Sequence, residues 1–347
     1  MRRGQYLQVM AAAGVAVAGL VALPVAPARA DAVEDFYRGR TVSIIIGYSV
    51  GGGYDTYARL LSRFIGSHIP GKPNVVAQNM PGAGSIKAAN YLYSVAPKDG
   101  TQFGTFGRAV PVAPLLNVSG AAFDGTKLTW LGSISKDTTL CITSDRSQVK
   151  TWDDFLKKPS TLGGEGAGSD PDMYTLLYKN VFGAQVKLVT GYPGTNDTTL
   201  AMERGEIDGF CGLSWSTMRA RHSQWLRDKS VNIIVQAGME KEPELNDVPF
   251  VLDLAKEQER QQILKVILVS QEMARPFAAP PGIPAERKAA LIKAFAETMT
   301  DPDFLAEAKR QVLDINPVSA KDVDAMLREV YATPKDVIAK AAKMTTE

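Results

Sequence analysis

Three glycine-rich segments are the part of this sequence best suited to hold a ligand. They cover residues 47–53, 81–85 and 163–169, and each precedes a segment with helical periodicity. Glycine lets main-chain N–H groups approach a ligand closely, and the following helix adds unpaired N-terminal donors and a positive dipole end. Such a site suits an anion, particularly a carboxylate. One segment of this kind would be an ordinary strand-to-helix turn, but three of them favour a binding site.

Side chains that could perform catalysis are scarce. His68 and His222 are the only histidines, and neither lies in H-E-x-x-H or another metal-ligand spacing. We expect His68 in a solvated loop and His222 on a charged helix surface. The sequence has no G-x-S-x-G motif, and its two cysteines do not form a C-x-x-C pair. A hydrolase or metalloenzyme is therefore disfavoured, and no catalytic residue or metal ligand is predicted.

Nucleotide-binding motifs match poorly as well. Residues 47–53 do not fit G-x-G-x-x-G, because three residues separate the first glycine from the next three. Residues 82–87 resemble a phosphate-binding loop only loosely, since Lys87 is misplaced for G-x-x-x-x-G-K-[ST]. We therefore predict no nucleotide and no other cofactor.

Alternating strands and helices must position these loops. Apolar and β-branched runs predict strands at 41–46, 75–77, 102–106, 129–134, 139–143, 186–189, 207–213 and 231–235. Apolar spacing predicts helices within 57–65, 88–93, 173–181 and 197–204, and an almost wholly helical tail over 284–343. Glycine loops then lie at the carboxyl ends of strands, where ligands bind in open α/β sheets.

The same pattern restarts after about residue 136, which predicts two α/β lobes. Lobe 1 would comprise residues 31–135 and 239–347, and lobe 2 would be the inserted segment 136–238. We expect the strands at 129–134 and 139–143 to carry the chain out of lobe 1, and the strand at 231–235 to return it.

Composition fits a folded protein of this size. The chain has 347 residues, 45% apolar and 22% charged, with 30 glycines and 20 prolines, which excludes disorder and collagen-like repetition. Its length favours two domains. A formal charge of +2 argues against a nucleic-acid-binding polycation.

Residues 1–30 have the composition of a secretory leader. Arg2 and Arg3 precede the uncharged segment 9–23, and Ala28-Arg29-Ala30 forms an A-x-A cleavage site. A retained membrane anchor is the alternative, but glycines and Pro24 interrupt the apolar run. We expect cleavage after Ala30 and export to the periplasm. Three of the 39 basic residues lie in the leader, so the mature chain would carry 36 basic against 37 acidic residues, a net charge of −1.

Cys141 and Cys211 are the only cysteines. In an oxidising compartment they could pair. Each also lies in an apolar run that predicts a buried strand, where free cysteine behaves as a small apolar residue. On this basis we expect two unpaired, buried thiols.

Several motifs in order resemble the receptors of tripartite tricarboxylate transporters, the Bug family. They are residues 45–59 (IIGYSVGGGYDTYAR), 78–85 (QNMPGAGS), 96–101 (APKDGT), 279–284 (APPGIP) and 300–302 (TDP). The resemblance implies a periplasmic-binding-protein-like (type II) α/β fold with a ligand cleft between its lobes. It also implies a non-enzymatic, monomeric receptor that closes on a small carboxylate and delivers it to membrane permease subunits.

The resemblance also suggests the ligand-binding residues. They are Tyr48, Ser49, Gly52, Gly53, Asp55, Gly84, Ser85, Gly168, Ser169, Tyr192, Gly194, Thr195 and Asp208. For two of them an alternative stays open. Asp55 either contacts the ligand or pairs with Arg59 at the start of a helix, and Asp208 either contacts the ligand or caps a turn.

Departures from the family pattern leave the ligand open between several carboxylates. The first loop lacks the usual apolar-Pro-Gly-Gly sequence. Tyr48, Tyr54 and Tyr192 either wall a pocket for an aromatic or extended dicarboxylate, or pack within their own lobe. Arg108 either grips a carboxylate bidentately or lies on the surface. An enzyme acting on a carboxylated metabolite and a sensory receptor are the competing functions.

Overall fold

Two β-sheets flanked by helices form the framework of the protein in the computed structural model, which describes residues 29–346. The predicted leader lies outside the described residues except for its last two positions. No helix within 29–346 has the length and apolar character that a bilayer crossing requires.

The first sheet has the strand order β11-β4-β10-β3-β1-β2, and the second has the order β7-β6-β8-β5-β9. The strands are β1 (Thr41–Ile46), β2 (Asn74–Asn79), β3 (Gln102–Thr105), β4 (Thr129–Ser133), β5 (Thr139–Ser144), β6 (Ser160–Gly163), β7 (Val186–Val189), β8 (Gly209–Ser214), β9 (Val231–Ala237), β10 (Pro276–Ala279) and β11 (Val318–Ser319). Because β1 runs parallel to β2 and β3, and β6 runs parallel to β7 and β8, each sheet presents a set of carboxyl ends at one edge.

Helices connect and cover these strands. They are α1 (Arg29–Tyr37), α2 (Gly53–His68), α3 (Ile86–Ser94), α4 (Trp152–Lys157), α5 (Asp170–Phe182), α6 (Thr195–Arg204), α7 (Trp215–Arg221), α8 (Ser223–Asp228), α9 (Val251–Leu254), α10 (Gln258–Leu268), α11 (Ala285–Thr298), α12 (Pro302–Arg310), α13 (Ala320–Tyr331) and α14 (Lys335–Thr345). Local signals set the ends of α5. The Ser169 side chain accepts the N–H of Asp172 at the N-terminus, and Gly183 adopts φ +77° at the C-terminus.

The chain crosses from the first sheet to the second between β4 and β5, as predicted. The last strand of the second sheet is β9, which pairs antiparallel with β5 and lies inside the predicted inserted segment 136–238, so the chain leaves the second sheet after it. The strand that rejoins the first sheet is β10, which lies between β4 and β3. By its sequence alone, an apolar run such as 231–235 could belong to either sheet. Its pairing with β5 assigns it to the second sheet.

One apolar cluster continues from the first sheet to the second. Phe106 and Val110, which follow β3, belong to the same buried cluster as Tyr174 and Leu177 of α5. Each of these side chains is fully buried. The two sheets are therefore joined on this side of the molecule by a shared core. The C-terminal helix α14 also packs on α5.

The expectation of two unpaired thiols is wrong. Cys141 of β5 and Cys211 of β8 are direct partners in the antiparallel register, and they form a disulfide. The residues lie 70 positions apart in sequence, so only the strand pairing reveals that they meet. A disulfide between buried strands is expected of a protein exposed to an oxidising compartment.

Candidate functional site

The glycine-rich loops of the two sheets meet at the carboxyl ends of the strands. The Ser49 main-chain N–H donates to the Pro193 carbonyl oxygen (3.2 Å), and Ser49 Oγ donates to Asp197 Oδ2 (2.5 Å). On the other side of the site, the Gly84 N–H donates to the Glu165 carbonyl oxygen (3.0 Å). The predicted loops therefore face each other, and in this structure they are in direct contact.

Two glycines are required by this close approach. Gly84 has φ +56°, and a Cβ atom there would lie 2.9 Å from the Gly166 carbonyl oxygen. Gly194 has an extended backbone, and a Cβ atom there would lie 2.7 Å from Ser49 Oγ. A larger residue at position 84 would therefore push against the main chain of the opposing loop, and one at position 194 would displace Ser49 Oγ and crowd the Ser49 main-chain N atom, 3.2 Å away.

A cavity of about 20 Å³ lies between these loops. That volume is enough for about one water molecule. The predicted residues that line it are Tyr48, Gly53, Tyr54, Arg108 and Thr195. Its ionisable lining also includes Asp170, Glu165 and Arg275, none of which was predicted.

Arg108 is buried, with 1% of its surface exposed, which excludes the alternative of a surface role. Its Nε donates to Asp170 Oδ2 (2.6 Å), Nη1 to Gln271 Oε1 (2.7 Å) and Nη2 to Ser214 Oγ (2.9 Å). Burial alone would lower the pKa of Arg108, but the carboxylate of Asp170 raises it above its usual value. All three nitrogens of this guanidinium thus have partners within the protein.

Arg275 is a second buried guanidinium, also 1% exposed, and its pairing is weaker. The nearest carboxylate oxygen, Asp137 Oδ2, lies 3.4 Å from Nη2. Nε has no hydrogen-bond partner within residues 29–346. The group lies against the rings of Tyr54 and Tyr57, 5.0 and 4.9 Å from their centroids. In the sequence, the only sign that Arg275 has a special role is its position directly before the apolar run 276–279.

Two helices begin at the cavity without side-chain caps. Gly52 precedes α2 and Gly194 precedes α6, and neither can provide a capping side chain. The two N-termini face each other, since a Cβ atom at Gly52 would lie 3.6 Å from Thr195 Cβ. Gly53, the first residue of α2, lies next to Arg275: a Cβ atom at Gly53 would be 3.3 Å from Arg275 Nη2. A guanidinium and the positive end of a helix therefore converge at one wall.

Two tyrosines form part of the wall. The rings of Tyr48 and Tyr54 stack at a centroid distance of 4.8 Å, and burial raises the pKa of both hydroxyls, so they stay protonated. Tyr192 does not join them, because it packs against the apolar cluster of the second sheet. Of the two alternatives for the tyrosines, Tyr192 therefore follows the second, packing within its own lobe, and its role in ligand binding stays a prediction.

The remaining predicted residues have structural partners. Asp55 accepts from Arg59 (2.9 Å) and from the Gly51 N–H (3.0 Å), which is the helix-start arrangement. Ser85 Oγ accepts the Gly107 N–H (2.8 Å). Asp208 accepts the Thr161 N–H (2.7 Å) at the amino end of β8, the end opposite Ser214.

Ser169 and Gly168 also lie beside the cavity rather than in it. Ser169 caps α5. Gly168 borders a separate depression of about 340 Å³ near Val118 and the C-terminus. For both residues, a role in ligand binding stays a prediction.

Neither histidine lies at the site. His68 is the last residue of α2 rather than a loop residue, and its Nε2 lies 2.8 Å from Asp301 Oδ2. His222 stacks on Trp225, with ring centroids 4.1 Å apart, and burial lowers its pKa to about 4. His222 is half-buried at the junction of α7 and α8, so it lies less exposed than the charged helix surface that we expected. Within the described residues, no group of three potential metal ligands is present.

Comparison with known sequences gives a partial match. No protein-family model matches the chain. The UPF0065 protein in gbd 5'region of Cupriavidus necator is 29% identical over 168 residues, which is 48% of this chain and 48% of that protein. The chain therefore matches about half the length of this curated relative.

Comparison with solved structures covers most of the chain. The periplasmic binding protein BugD superimposes with a TM-score of 0.72 at 17% identity, over 88% of this chain and 98% of BugD. MatC from Rhodopseudomonas palustris with bound malate gives 0.69 at 19% identity, over 86% and 99%. An R. palustris protein with adipate gives 0.68 at 17% identity, over 87% and 97%. These neighbours confirm the resemblance that the motifs indicated: the chain has the two-lobed α/β fold of the Bug-type periplasmic binding proteins.

Proposed function

We propose that this protein is a periplasmic receptor that binds a small carboxylate between its lobes and delivers it to the membrane subunits of a tripartite tricarboxylate-type transporter. The observation that carries the proposal is the incompletely paired guanidinium of Arg275 beside the uncapped N-terminus of α2. A buried cation next to the positive end of a helix is stabilised by an anion. The cavity lies at that point, and separation of the lobes would enlarge it.

The class of anion follows from the shape of the site and from the neighbours. MatC is described with malate and the second R. palustris protein with adipate, both aliphatic dicarboxylates. Arg275 offers its unpaired Nε beside Nη2, whose present partners lie 3.2–3.4 Å away, and α2 offers main-chain donors, a combination that suits a carboxylate. We propose a dicarboxylate as the ligand, bound without turnover.

Binding requires the lobes to separate and close again. A cavity of about 20 Å³ is too small for a dicarboxylate, so the ligand enters when the contact of Ser49 with Pro193 and Asp197 opens. The shared apolar cluster on the other side would hold the lobes together during this hinge motion. We propose residues 31–135 with 239–347 as one lobe and 136–238 as the other. The helix α14 is an exception, because it packs on α5 across this boundary.

Export, cleavage after Ala30 and action as a monomer complete the proposal. The disulfide Cys141–Cys211 supports an oxidising compartment. The permease partner is the part of the proposal that rests on the family resemblance alone.

A thermal-shift screen tests the proposed function. The panel contains malate, succinate, adipate, citrate, benzoate and phthalate at pH 7. A ligand that binds only the folded state raises the midpoint of unfolding in a concentration-dependent way. We expect a dicarboxylate to give the largest shift and to be recovered unchanged after incubation. No shift with any acid, or conversion of the acid, would contradict the proposal.

Arg275→Lys is expected to weaken binding of the best acid about tenfold, or about 1.4 kcal/mol. Lysine keeps the positive charge but loses the planar fork that can hold two carboxylate oxygens. The dissociation constant is measured by titration calorimetry at pH 7. Arg310→Lys is the matched control, because Arg310 is 71% exposed and far from the cavity, so it should leave the affinity unchanged. Equal affinities of Arg275→Lys and wild type would remove Arg275 from the site.

A further inference from the structure

Glu165 is an unusual residue in the wall of this cavity. Its side chain is buried, with 6% of the residue exposed, in the middle of the glycine-rich loop that follows β6. Its backbone is fixed at both ends: the N–H donates to Asp172 Oδ1 (2.7 Å), and the carbonyl oxygen accepts the N–H of Gly84 (3.0 Å). The carboxyl group is therefore held at the cavity, and one of these two contacts, the hydrogen bond from Gly84, also joins the two lobes.

The carboxyl group has little hydrogen bonding of its own. Thr195 Oγ1 donates to Oε1 (3.1 Å), and this is its one side-chain hydrogen bond to residues within 29–346. No Lys or Arg of the described chain lies within ion-pair distance of it. The two guanidiniums that line the same cavity are directed to other acids, Arg108 to Asp170 and Arg275 to Asp137.

Acidic and phenolic groups surround Glu165 on the other elements. Asp170 and Asp172 lie on α5, Asp197 lies on α6, and the Tyr48 hydroxyl lies on the loop after β1. Burial first, and then these three carboxylates, raises the pKa of Glu165 to about 8, against the opposing hydrogen bond from Thr195. An ionised Glu165 would be a buried charge among like charges with no cation bound to it.

We propose that Glu165 is a neutral carboxylic acid that donates a hydrogen bond to a carboxylate oxygen of the bound ligand, and so helps to determine specificity. This inference rests on the proposed function. With Oε1 accepting from Thr195, Oε2 carries the proton and can face the cavity. A protonated acid accommodates a second anionic oxygen where an ionised one would repel it. Arg275 and Glu165 would then contact the same ligand from different lobes.

The proposal predicts a pH dependence with a definite sign. Only the protonated form of Glu165 can donate, so affinity should fall as pH rises through the pKa of Glu165 in the ligand-free protein. The fall is at most tenfold per pH unit. Aliphatic dicarboxylates are fully ionised from pH 7 to 9, and their partial protonation near pH 6 would make affinity rise with pH, so their own titration does not produce the predicted fall.

Titration calorimetry tests this pH dependence. The ligand is the acid that gives the largest thermal shift, and binding is measured from pH 6 to 9 in buffers of different ionisation enthalpy. For wild type, we expect affinity to fall toward pH 9 and proton uptake to accompany binding. Glu165→Gln keeps a neutral donor, so its binding should no longer depend on pH, with a loss below tenfold at pH 6. Glu165→Ala removes the donor and should lose more than tenfold. Glu206→Gln, at a carboxylate 53% exposed, should retain the wild-type profile.

A second measurement needs no ligand. The unfolded chain ionises this carboxyl near pH 4.5, whereas the folded protein with its lobes in contact, as in this structure, keeps the proton until about pH 8. Between these values the unfolded state binds fewer protons, so stability falls as pH rises. The unfolding equilibrium constant of wild type, divided by that of Glu165→Gln, should therefore rise by up to tenfold per pH unit in this window.

The outcomes separate the two proposals. If no acid of the panel binds wild type, both fail. If an acid binds but wild type and Glu165→Gln share one pH profile, Glu165 is not the donor and the receptor function stands. If affinity instead rises with pH and Glu165→Gln abolishes binding, Glu165 is an ionised acceptor for a donor group on the ligand, and the inference is overturned.

Discussion

Replacing Arg108 with methionine should lower the free energy of unfolding by about 3–5 kcal/mol, the usual cost of breaking a buried ion pair from one side. Methionine replaces the aliphatic stem of arginine and removes the guanidinium, so less packing is lost than with alanine. It leaves Asp170 without the guanidinium that contacts Oδ2 at 2.6 Å, and Oδ1 of the same carboxylate already lacks a partner within residues 29–346. Urea unfolding at pH 7, followed by circular dichroism, measures the change.

The effect does not depend on whether the lobes are open. Phe106 and Val110, on either side of Arg108 in sequence, belong to the apolar cluster shared with α5. Arg108 and Asp170 therefore lie beside the part of the lobe interface that packing keeps together. Opening at the opposite side, around Ser49, would leave their ion pair in place.

Two further variants show how much of the loss in unfolding free energy comes from breaking the buried ion pair. Arg310→Met removes one partner of an exposed pair with Glu307 and should cost less than about 1 kcal/mol. The double variant Arg108→Met/Asp170→Leu removes both charges and should be less destabilised than Arg108→Met alone. If Arg108→Met costs no more than Arg310→Met, the ion pair does not stabilise the fold.

Much of the framework could be predicted because its signals are local. The β-branched run at 41–46 and the run at 186–189 match β1 and β7 residue for residue. Gly183 ends α5 and Pro302 begins α12, as their backbone preferences require. The three strands that were not predicted are short: β6 has four residues, β10 has four residues beginning with proline, and β11 has two. Such segments become strands through their neighbours in the sheet.

The features of the site also fall into those that local sequence predicts and those that depend on long-range contacts. The positions of the glycine loops follow from strand–loop–helix order, which is local information. The partners of the ionisable residues do not, since Arg108 contacts Asp170 at a separation of 62 residues and Gln271 at 163. The roles of Glu165 and Arg275, and the pairing of Cys141 with Cys211, depend on which strands are neighbours. No spacing within the sequence encodes those contacts.

Gly194→Val should weaken binding of the best carboxylate by about 5- to 150-fold while leaving the fold intact. The Cβ atom of valine would lie 2.7 Å from Ser49 Oγ and 3.2 Å from the Ser49 N atom, on the opposing lobe. The backbone at Gly194 is extended, so valine introduces no local strain. Steric crowding of about 1–3 kcal/mol would therefore act on the closed form alone, and a 100-fold loss corresponds to about 2.7 kcal/mol.

Titration calorimetry gives the affinity, and small-angle X-ray scattering with saturating ligand shows whether the protein still contracts. Wild type should become more compact on binding, whereas Gly194→Val should retain the larger radius of gyration of its ligand-free form. Lys187→Val places the same side chain at an exposed position of β7, away from the opposing lobe, and should behave as wild type does. Undiminished affinity and contraction in Gly194→Val would mean that the contact between Ser49 and the 190–194 loop is not part of closure. The hinge would then have to close the cavity elsewhere, at the contact between Gly84 and Glu165.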